Sequence, residues 1–181
     1  MLQRSGPLKG VRIVEMAGLG PAPFAAMHLA DLGAEVVRIA RPGQKFPLPI
    51  DAKYNLFNRS RRSLTLDLTK ARDVDRLWQL IERAEVLIEG FRPGKMEKLG
   101  FGPEQVQARN PALVYGRLTG WGQEGSLAHA AGHDMNYVAI TGAVWGLGDA
   151  DRPPPAPMNL IADQGGGAMM LNVGILAALT H

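Results

Sequence analysis

The amino-acid sequence predicts an α/β fold built on a doubly wound, mostly parallel sheet. Short β-branched runs alternate with helical patterns through residues 11–118, and glycine and proline turns follow several of the runs. With 181 residues, of which 46% are hydrophobic and 20% charged, the chain can bury the core of one ordinary domain. This composition excludes a disordered chain and a coiled coil.

The first elements form a βαβ unit. Residues 11–16 are a β-branched run, and a Gly/Pro turn occupies residues 18–23. Apolar residues then recur every third or fourth position through residues 25–32, which predicts a helix that ends at Gly33. Residues 35–39 predict the second strand.

The remaining elements follow in the same alternation. Residues 41–62 lack a clean period and predict a long surface connection. The other predicted elements are strands at 64–68, 86–89 and 113–118, a helix capped by Thr69 and running to Ile81, helical turns at 94–99 and 103–109, and helices at 133–145 and 163–179. We expect the apolar run 167–179 to be a buried helix, since it is shorter than a bilayer span.

The cysteine content and the two ends of the chain bear on the protein's compartment and on the length of its natural polypeptide. The chain has no cysteine and no apolar leader behind its first residues, so we expect a cytoplasmic protein without disulfides or thiolate metal ligands. It stops directly after an apolar helix, and we therefore expect it to be the N-terminal piece of a longer protein.

The basic charge is confined to the first half of the chain. Residues 1–100 carry 17 Lys and Arg against 11 Asp and Glu, whereas residues 101–181 carry 3 against 6. No nucleic-acid motif accompanies this charge, so a phosphate-bearing small molecule is the preferred ligand and no nucleic-acid partner is expected. Three basic groups near predicted strand ends could bind it or could form a solvated face: Arg38/Arg41/Lys45, Arg59/Arg61/Arg62 and Arg92/Lys95/Lys98.

Three further features could carry chemistry. Gly18, Gly20 and Pro23 resemble a degraded dinucleotide fingerprint, which is equally typical of a tight turn. His133 lies at a predicted helix N-terminus, where free N–H groups can stabilise an anion, although a local polar pair with Asp134 explains it as well. Asp163 precedes three glycines and is either an N-cap or a residue facing a ligand. The histidines show no metal-ligand spacing.

Several long stretches together resemble a known family. The chain resembles the family III CoA transferases and, among them, the α-methylacyl-CoA racemase branch, from residue 6 to its end. The resemblance rests on residues 10–15, 30–39, 67–68, 84–94, 119–123, 131–137 and 159–163. It implies a Rossmann-like sheet that forms the N-terminal part of that fold, with a CoA-binding region at 1–120, a catalytic loop and helices at 121–181, and a small C-terminal domain absent from this chain.

The resemblance also implies a CoA site. Arg41 would meet the nucleotide, Lys98 would face the phosphates, and the segment starting at Gly132 would hold the thioester end. Lys98 stands where close relatives are expected to have arginine, which keeps the charge but loses the bidentate fork. The implied binding residues are Arg41, Leu66, Asp67, Leu68, Thr69, Gly90, Phe91, Arg92, Lys98, Gly132, His133, Asp134, Met135, Asn136 and Tyr137.

His133 and Asp163 match the catalytic pair of the racemase branch. The implied reaction is 1,1-proton transfer on a 2-methylacyl-CoA through a thioester enolate, with no metal and no cofactor besides the CoA of the substrate. In related transferases the aspartate is retained as an acyl-carrying nucleophile and the histidine is absent. CoA transfer through Asp163 and an inactive CoA-binding fragment are the alternatives. Relatives are about twice this length and form interlocked homodimers, with an assisting glutamate in the later half.

Overall fold

The structure, a computed structural model, describes residues 5–44 and 51–181. Lys45 of the first basic group lies outside the described residues. The described part contains one five-stranded sheet, in the order β3-β2-β1-β4-β5, and every pair of neighbouring strands is parallel. The strands are β1 (Arg12–Met16), β2 (Glu35–Ala40), β3 (Arg61–Thr65), β4 (Val86–Glu89) and β5 (Val114–Arg117).

Helices cover both faces of this sheet. They are α1 (Pro21–Asp31), α2 (Ala71–Ile81), α3 (Lys95–Lys98), α4 (Pro103–Arg109), α5 (Asp134–Ile140) and α6 (Met169–Leu179). A π-helical segment (Leu160–Ala168) leads directly into α6, and a 3-10 turn (Ala143–Gly146) follows α5. The predicted α/β fold with a doubly wound parallel sheet is confirmed.

Each face of the sheet has its own hydrophobic core. On one face, Leu77 and Ile81 of α2 pack with Phe101 and strand residues such as Leu87. On the other face, Leu29 of α1 packs against strand residues and α6. The alternating direction of side chains along β1 divides its residues between these two cores. The sheet is therefore held from both sides, as buried parallel strands require.

The strand order places a topological switch between β1 and β4. The chain runs outward from β1 through β2 to β3 and then returns to place β4 on the other side of β1. The loops after these two strands consequently diverge and leave a crevice at the carboxyl edge of the sheet, which is where doubly wound folds bind ligands.

Several predicted elements are displaced in the structure. The first helix begins at Pro21, inside the predicted turn, and the helix predicted at 133–145 is α5 followed by a separate 3-10 turn. The third strand was predicted at residues 64–68, but β3 spans Arg61–Thr65. This edge strand is largely exposed, so its sequence lacks the alternating burial that would mark its start. The prediction that Thr69 caps the second helix is also wrong. The N-cap of α2 is Lys70, whose side chain makes no capping hydrogen bond.

Because β3 begins early, one predicted basic group lies at the opposite edge from the crevice. Arg61 starts β3 and is buried against Glu15 of β1, an ion pair in which both side chains are nearly inaccessible. Arg59 pairs with Asp31 at the end of α1, with 2.6 Å between Nη2 and Oδ2. The expectation that this group faces a phosphate ligand is therefore wrong for these two side chains.

The C-terminal helix is less buried than the sequence predicted. In α6 only Asn172 and Ile175 are buried, whereas Met170 and Val173 are 65% and 55% exposed. Ile175 packs on β5, where a Cβ at Gly116 would lie 3.3 Å from its methyl group. With the π-helical segment, the apolar helical run spans Leu160–Leu179, which is long and apolar enough to cross a membrane by length and composition, a test that core helices of soluble proteins also pass.

Candidate active site

A cavity of about 510 Å³ lies at the carboxyl edge of the sheet. Its walls are the loops after β1, β4 and β5, the segment before α5, and the π-helical segment. The lining residues include Leu19, Gly20, Pro21, Ala22, Gly90, Phe91, Arg92, Pro93, Leu118, Thr119, Gly120, Ala128, Ala130, Ala131, Gly132, His133, Tyr137, Ala162, Asp163, Gly166 and Gly167. The cavity thus occupies the crevice that the strand order creates.

The turn after β1 forms one wall close to Asp163. Gly20 has φ +74°, a left-handed conformation that L side chains rarely adopt, and it is the N-cap of α1. A Cβ at this position would lie 3.9 Å from Oδ2 of Asp163. The degraded glycine fingerprint is therefore both a tight turn and part of the cavity wall.

The loop after β4 is anchored by a buried carboxylate. Oε2 of Glu89 accepts the N–H of Phe91 at 2.7 Å, and Oε1 accepts Nε of Arg117 at 3.0 Å. Arg117 also pairs with Glu97 of α3 at 2.8 Å. Burial raises the pKa of Glu89, and these hydrogen bonds partly offset the rise. Glu89 is not among the residues predicted from the sequence, although a carboxylate at the end of an apolar strand is itself an unusual signal.

His133 is the N-cap of α5 and is exposed to the cavity. Its backbone N–H donates to Oδ1 of Asn136 at 2.9 Å, which ties the backbone to the first turn of the helix. Since the cavity is lined by this residue, its imidazole is available to a bound substrate.

Asp163 belongs to the π-helical segment and is only 8% exposed. The expectation that it could be an N-cap is wrong, because the N-cap of this segment is Asn159. Burial raises the pKa of Asp163, and the nearby Asp134 carboxylate raises it further, while His133 and the Asp134 N–H lower it. A buried carboxyl beside an imidazole, with its pKa shifted toward neutrality, is suited to proton transfer.

Tyr137 lines the cavity, and its ring packs against Trp121. Trp121 and Tyr137 meet edge to face, with ring centroids 4.9 Å apart. A Cβ at Gly132 would lie 2.6 Å from Nε1 of Trp121 and would also overlap the Tyr137 ring, and one at Gly120 would overlap that ring too. The glycines of these loops are therefore required by close packing around the tyrosine.

The cavity brings together seven of the predicted site residues: Gly90, Phe91, Arg92, Gly132, His133, Tyr137 and Asp163. The others do not line it. Leu66 is buried in the sheet core, Asp134 is buried behind His133, and Met135 and Asn136 are exposed on α5. Arg41, Asp67, Leu68 and Thr69 follow β2 and β3 at the same edge of the sheet, and Lys98 ends α3. The role of each remains a prediction.

The described residues were also compared with the requirements of a metal site. Within residues 5–44 and 51–181, no group of three or more His, Cys, Asp or Glu side chains could hold a metal ion.

Comparison with known proteins gives a consistent assignment. The family model for CoA-transferase family III matches residues 8–181. Alpha-methylacyl-CoA racemase of Homo sapiens is 47% identical over 172 residues, covering 95% of this chain and 44% of the relative. The racemase of Mus musculus is 48% identical and 43% covered. A probable fatty acyl-CoA transferase of Mycobacterium tuberculosis is 36% identical over 186 residues, covering 97% of this chain and 47% of the relative.

Solved structures share the fold. The crystal structure of a CaiB/BaiF family protein from Brucella suis matches with a TM-score of 0.88 and 31% identity, covering 98% of this chain and 50% of that one. The chain therefore spans about half the length of the curated and solved relatives it matches.

Proposed function

Because the chain belongs to CoA-transferase family III, we propose that its site interconverts the R and S epimers of a 2-methylacyl-CoA by moving the α-proton. The observation that carries this proposal is that His133 and Asp163, from two different helical segments, line one cavity. The identity to two racemases supports the same activity.

The proposed mechanism uses the two residues in opposite roles. One of them removes the α-proton, and the electron pair of the broken C–H bond moves into the thioester carbonyl to form an enolate. The other residue then donates a proton to the opposite face of the α-carbon. His133 is the base for one epimer and Asp163 for the other. We place the enolate oxygen near the first turn of α5, where backbone N–H groups can stabilise it.

We further propose that the CoA moiety follows the carboxyl edge of the sheet. The thioester end enters the cavity beside Gly132, and the pantetheine passes the loop at Gly90 and Phe91. The exposed cations Arg41, Arg92 and Lys98 would meet the nucleotide and its phosphates. Substituting each by Ala should raise KM for the acyl-CoA with little change in kcat, whereas an equal loss in kcat would contradict this path.

The activity is tested with 2-methyldecanoyl-CoA of one configuration in heavy water. The proposal predicts deuterium at the α-carbon together with formation of the other epimer. As the control for substitution of the reactive carboxylate Asp163, Glu124→Gln should leave this exchange unchanged. Glu124 is an exposed carboxylate that does not line the cavity. Absence of deuterium with the intact protein would contradict racemisation.

CoA transfer is the second candidate, and it is favoured by the transferase relative. In that reaction Asp163 attacks the thioester, expels CoA thiolate and carries the acyl group as a mixed anhydride. Hydroxylamine would cleave this anhydride at either carbonyl, giving the acyl hydroxamate with Asp163 regenerated or the Asp163 hydroxamate with the free acid. Without hydroxylamine, a free carboxylic acid would acquire CoA. None of these products is expected from proton transfer.

We also propose that the protein acts as a homodimer in the cytoplasm. Support for self-association comes from the apolar side chains Ile140, Trp145, Met158 and Val173, which are 55–92% exposed in this chain. Light scattering of the full-length protein tests the dimer, and a monomer at micromolar concentration would contradict it. The location is tested by subcellular fractionation.

A further inference from the structure

A buried carboxylate links the two segments that carry His133 and Asp163. Asp134 is the first residue of α5 and is 3% exposed. Its Oδ2 accepts the backbone N–H of Ala162 at 2.7 Å and that of Asp163 at 2.8 Å. These two donors belong to the first turn of the π-helical segment, 28 and 29 residues further along the chain.

The first turn of a helix has N–H groups without partners inside the helix, and they need an acceptor from outside. Here the N-cap residue Asn159 makes no side-chain cap bond. Asp134 supplies the acceptor instead, and because it is a carboxylate the two bonds are charge-assisted and stronger than neutral ones. The π-helical segment is thus capped from α5.

Asp134 and Asp163 are joined by a hydrogen bond, and Asp134 also affects the charge state of Asp163. The Asp134 carboxylate holds the Asp163 N–H, and the Asp134 N–H lies near enough to the Asp163 carboxylate to lower its pKa. Oδ1 of Asp134 is buried and has no hydrogen-bond partner among the described residues. A carboxylate with one unsatisfied buried oxygen costs stability, so this position is not optimised for folding alone.

We propose that Asp134 is a positioning residue that holds the Asp163 backbone at a fixed place opposite His133. His133 and Asp134 are consecutive, so one short segment both carries one acid/base group and grips the backbone of the other. Asp134 is not among the residues that line the cavity, so its carboxylate acts through the Asp163 backbone. The inference rests on the proposed racemase function, because it assigns a separation that only a two-base reaction needs.

Charge is the second part of the same role. Among the described residues, the titratable groups that interact with Asp163 are His133, Asp134 and Tyr137, and of these three Asp134 adds the negative charge. Removing that charge makes the ionised form of Asp163 easier to reach. The acid limb of the reaction in which Asp163 is the base should therefore move to lower pH.

The test compares Asp134→Asn and Asp134→Ala with the control Asp149→Asn in the full-length protein, using 2-methyldecanoyl-CoA. Asp149 is an exposed carboxylate outside the cavity. We expect kcat to fall about 10-fold in Asp134→Asn and about 100-fold in Asp134→Ala, because small misplacements of a reacting group have effects of this order. KM should stay within about 2-fold, and the acid limb should shift to lower pH in Asp134→Asn.

A structural readout separates failure of this inference from failure of the proposed function. Hydrogen–deuterium exchange of the peptide spanning residues 160–168 should accelerate in Asp134→Ala whether or not the protein racemises anything. Wild-type protein without α-proton exchange would overturn the proposed function. Unchanged peptide exchange in Asp134→Ala, a loss confined to KM, or an unmoved acid limb in Asp134→Asn would overturn the positioning role.

Discussion

The sheet with its helices and the segment from residue 121 onward differ in how completely their apolar side chains are buried. The sheet has a core on each face, with Leu77, Leu87 and Phe101 fully buried on one side. The later segment exposes large apolar side chains such as Ile140, Trp145 and Leu160. Both residues of the proposed proton transfer, His133 and Asp163, belong to this less covered segment.

The difference shows how the site is divided between scaffold and reactive groups. The loops after β1 and β4 follow strands that are buried except for Arg12 at the start of β1. The reactive residues depend instead on a few polar contacts, above all those of Asp134. Substitutions should therefore affect stability in the sheet and activity in the later segment.

The largest expected contrast compares equivalent apolar truncations. Leu77→Ala removes a fully buried side chain and should lower the free energy of unfolding by about 4 kcal/mol. Ile140→Ala removes one that is 66% exposed and should change it by less than about 0.5 kcal/mol, while weakening self-association. Urea denaturation of full-length variants measures both, and equal losses would contradict the division.

The next contrast compares a buried ion pair with an exposed one. Burial raises the pKa of Glu15 to about 7, although Arg61 opposes the rise. Since the folded value exceeds the unfolded one, this group's contribution to stability is lost as pH rises from about 4.5 to about 7.

Arg61→Met removes the opposing charge and should cost about 3 kcal/mol at pH 8 and at least about 1 kcal/mol less at pH 5, where Glu15 is protonated. Arg12→Met is the control, because Arg12 pairs with Glu85 at the surface and its loss should be smaller and the same at both pH values. A loss in Arg61→Met that is the same at both values would show that Glu15 does not titrate in this range.

A smaller effect should appear where the scaffold meets the substrate. Glu89→Gln weakens the charge-assisted bond to the Phe91 N–H and should raise KM for the acyl-CoA about 10-fold, equivalent to about 1.4 kcal/mol. Glu97→Gln alters the exposed end of the same network and should have a lesser effect. Steady-state kinetics decide the point, and an effect in kcat alone would place Glu89 with the reactive groups instead.

The smallest predicted effect is a gain in stability at the reactive carboxylate. Because the pKa of Asp163 is raised in the folded protein, its ionised form costs stability above the unfolded value near 3.8. Asp163→Asn should abolish racemisation yet stabilise the protein by about 1 kcal/mol at pH 7. The gain should disappear at pH 3, and its persistence there would point to a cause other than charge.

The sequence was most informative where structure is local. Periodicity and turn residues predicted β1, β2 and β4 within a residue, since buried strands carry their own signal, and they predicted the end of α1 but not its start at Pro21. It misplaced β3, because an exposed edge strand has no such signal. The crossed contact from Asp134 to Ala162 could not be predicted, since nothing in the spacing of residues 134 and 162 shows that a π-helical turn needs a cap.

The site residues also differ in whether a local sequence pattern predicts their position. The placement of the loop residues Gly90 and Arg92 follows from the order of the strands, and their cavity position agrees with it. The pairing of His133 with Asp163 was expected only from the family resemblance. Its geometry depends on tertiary contacts between α5 and the π-helical segment, which no local pattern encodes.

The central claim is that His133 and Asp163 act on opposite faces of one α-carbon. The most direct measurement follows deuterium wash-in separately from the R and S epimers of 2-methyldecanoyl-CoA in heavy water, with His133→Ala and Asp163→Ala. We expect each variant to lose inversion but still to label one epimer, and the labelled epimer to differ between the two. Labelling of the same epimer by both variants, or inversion at the wild-type rate by either, would contradict it.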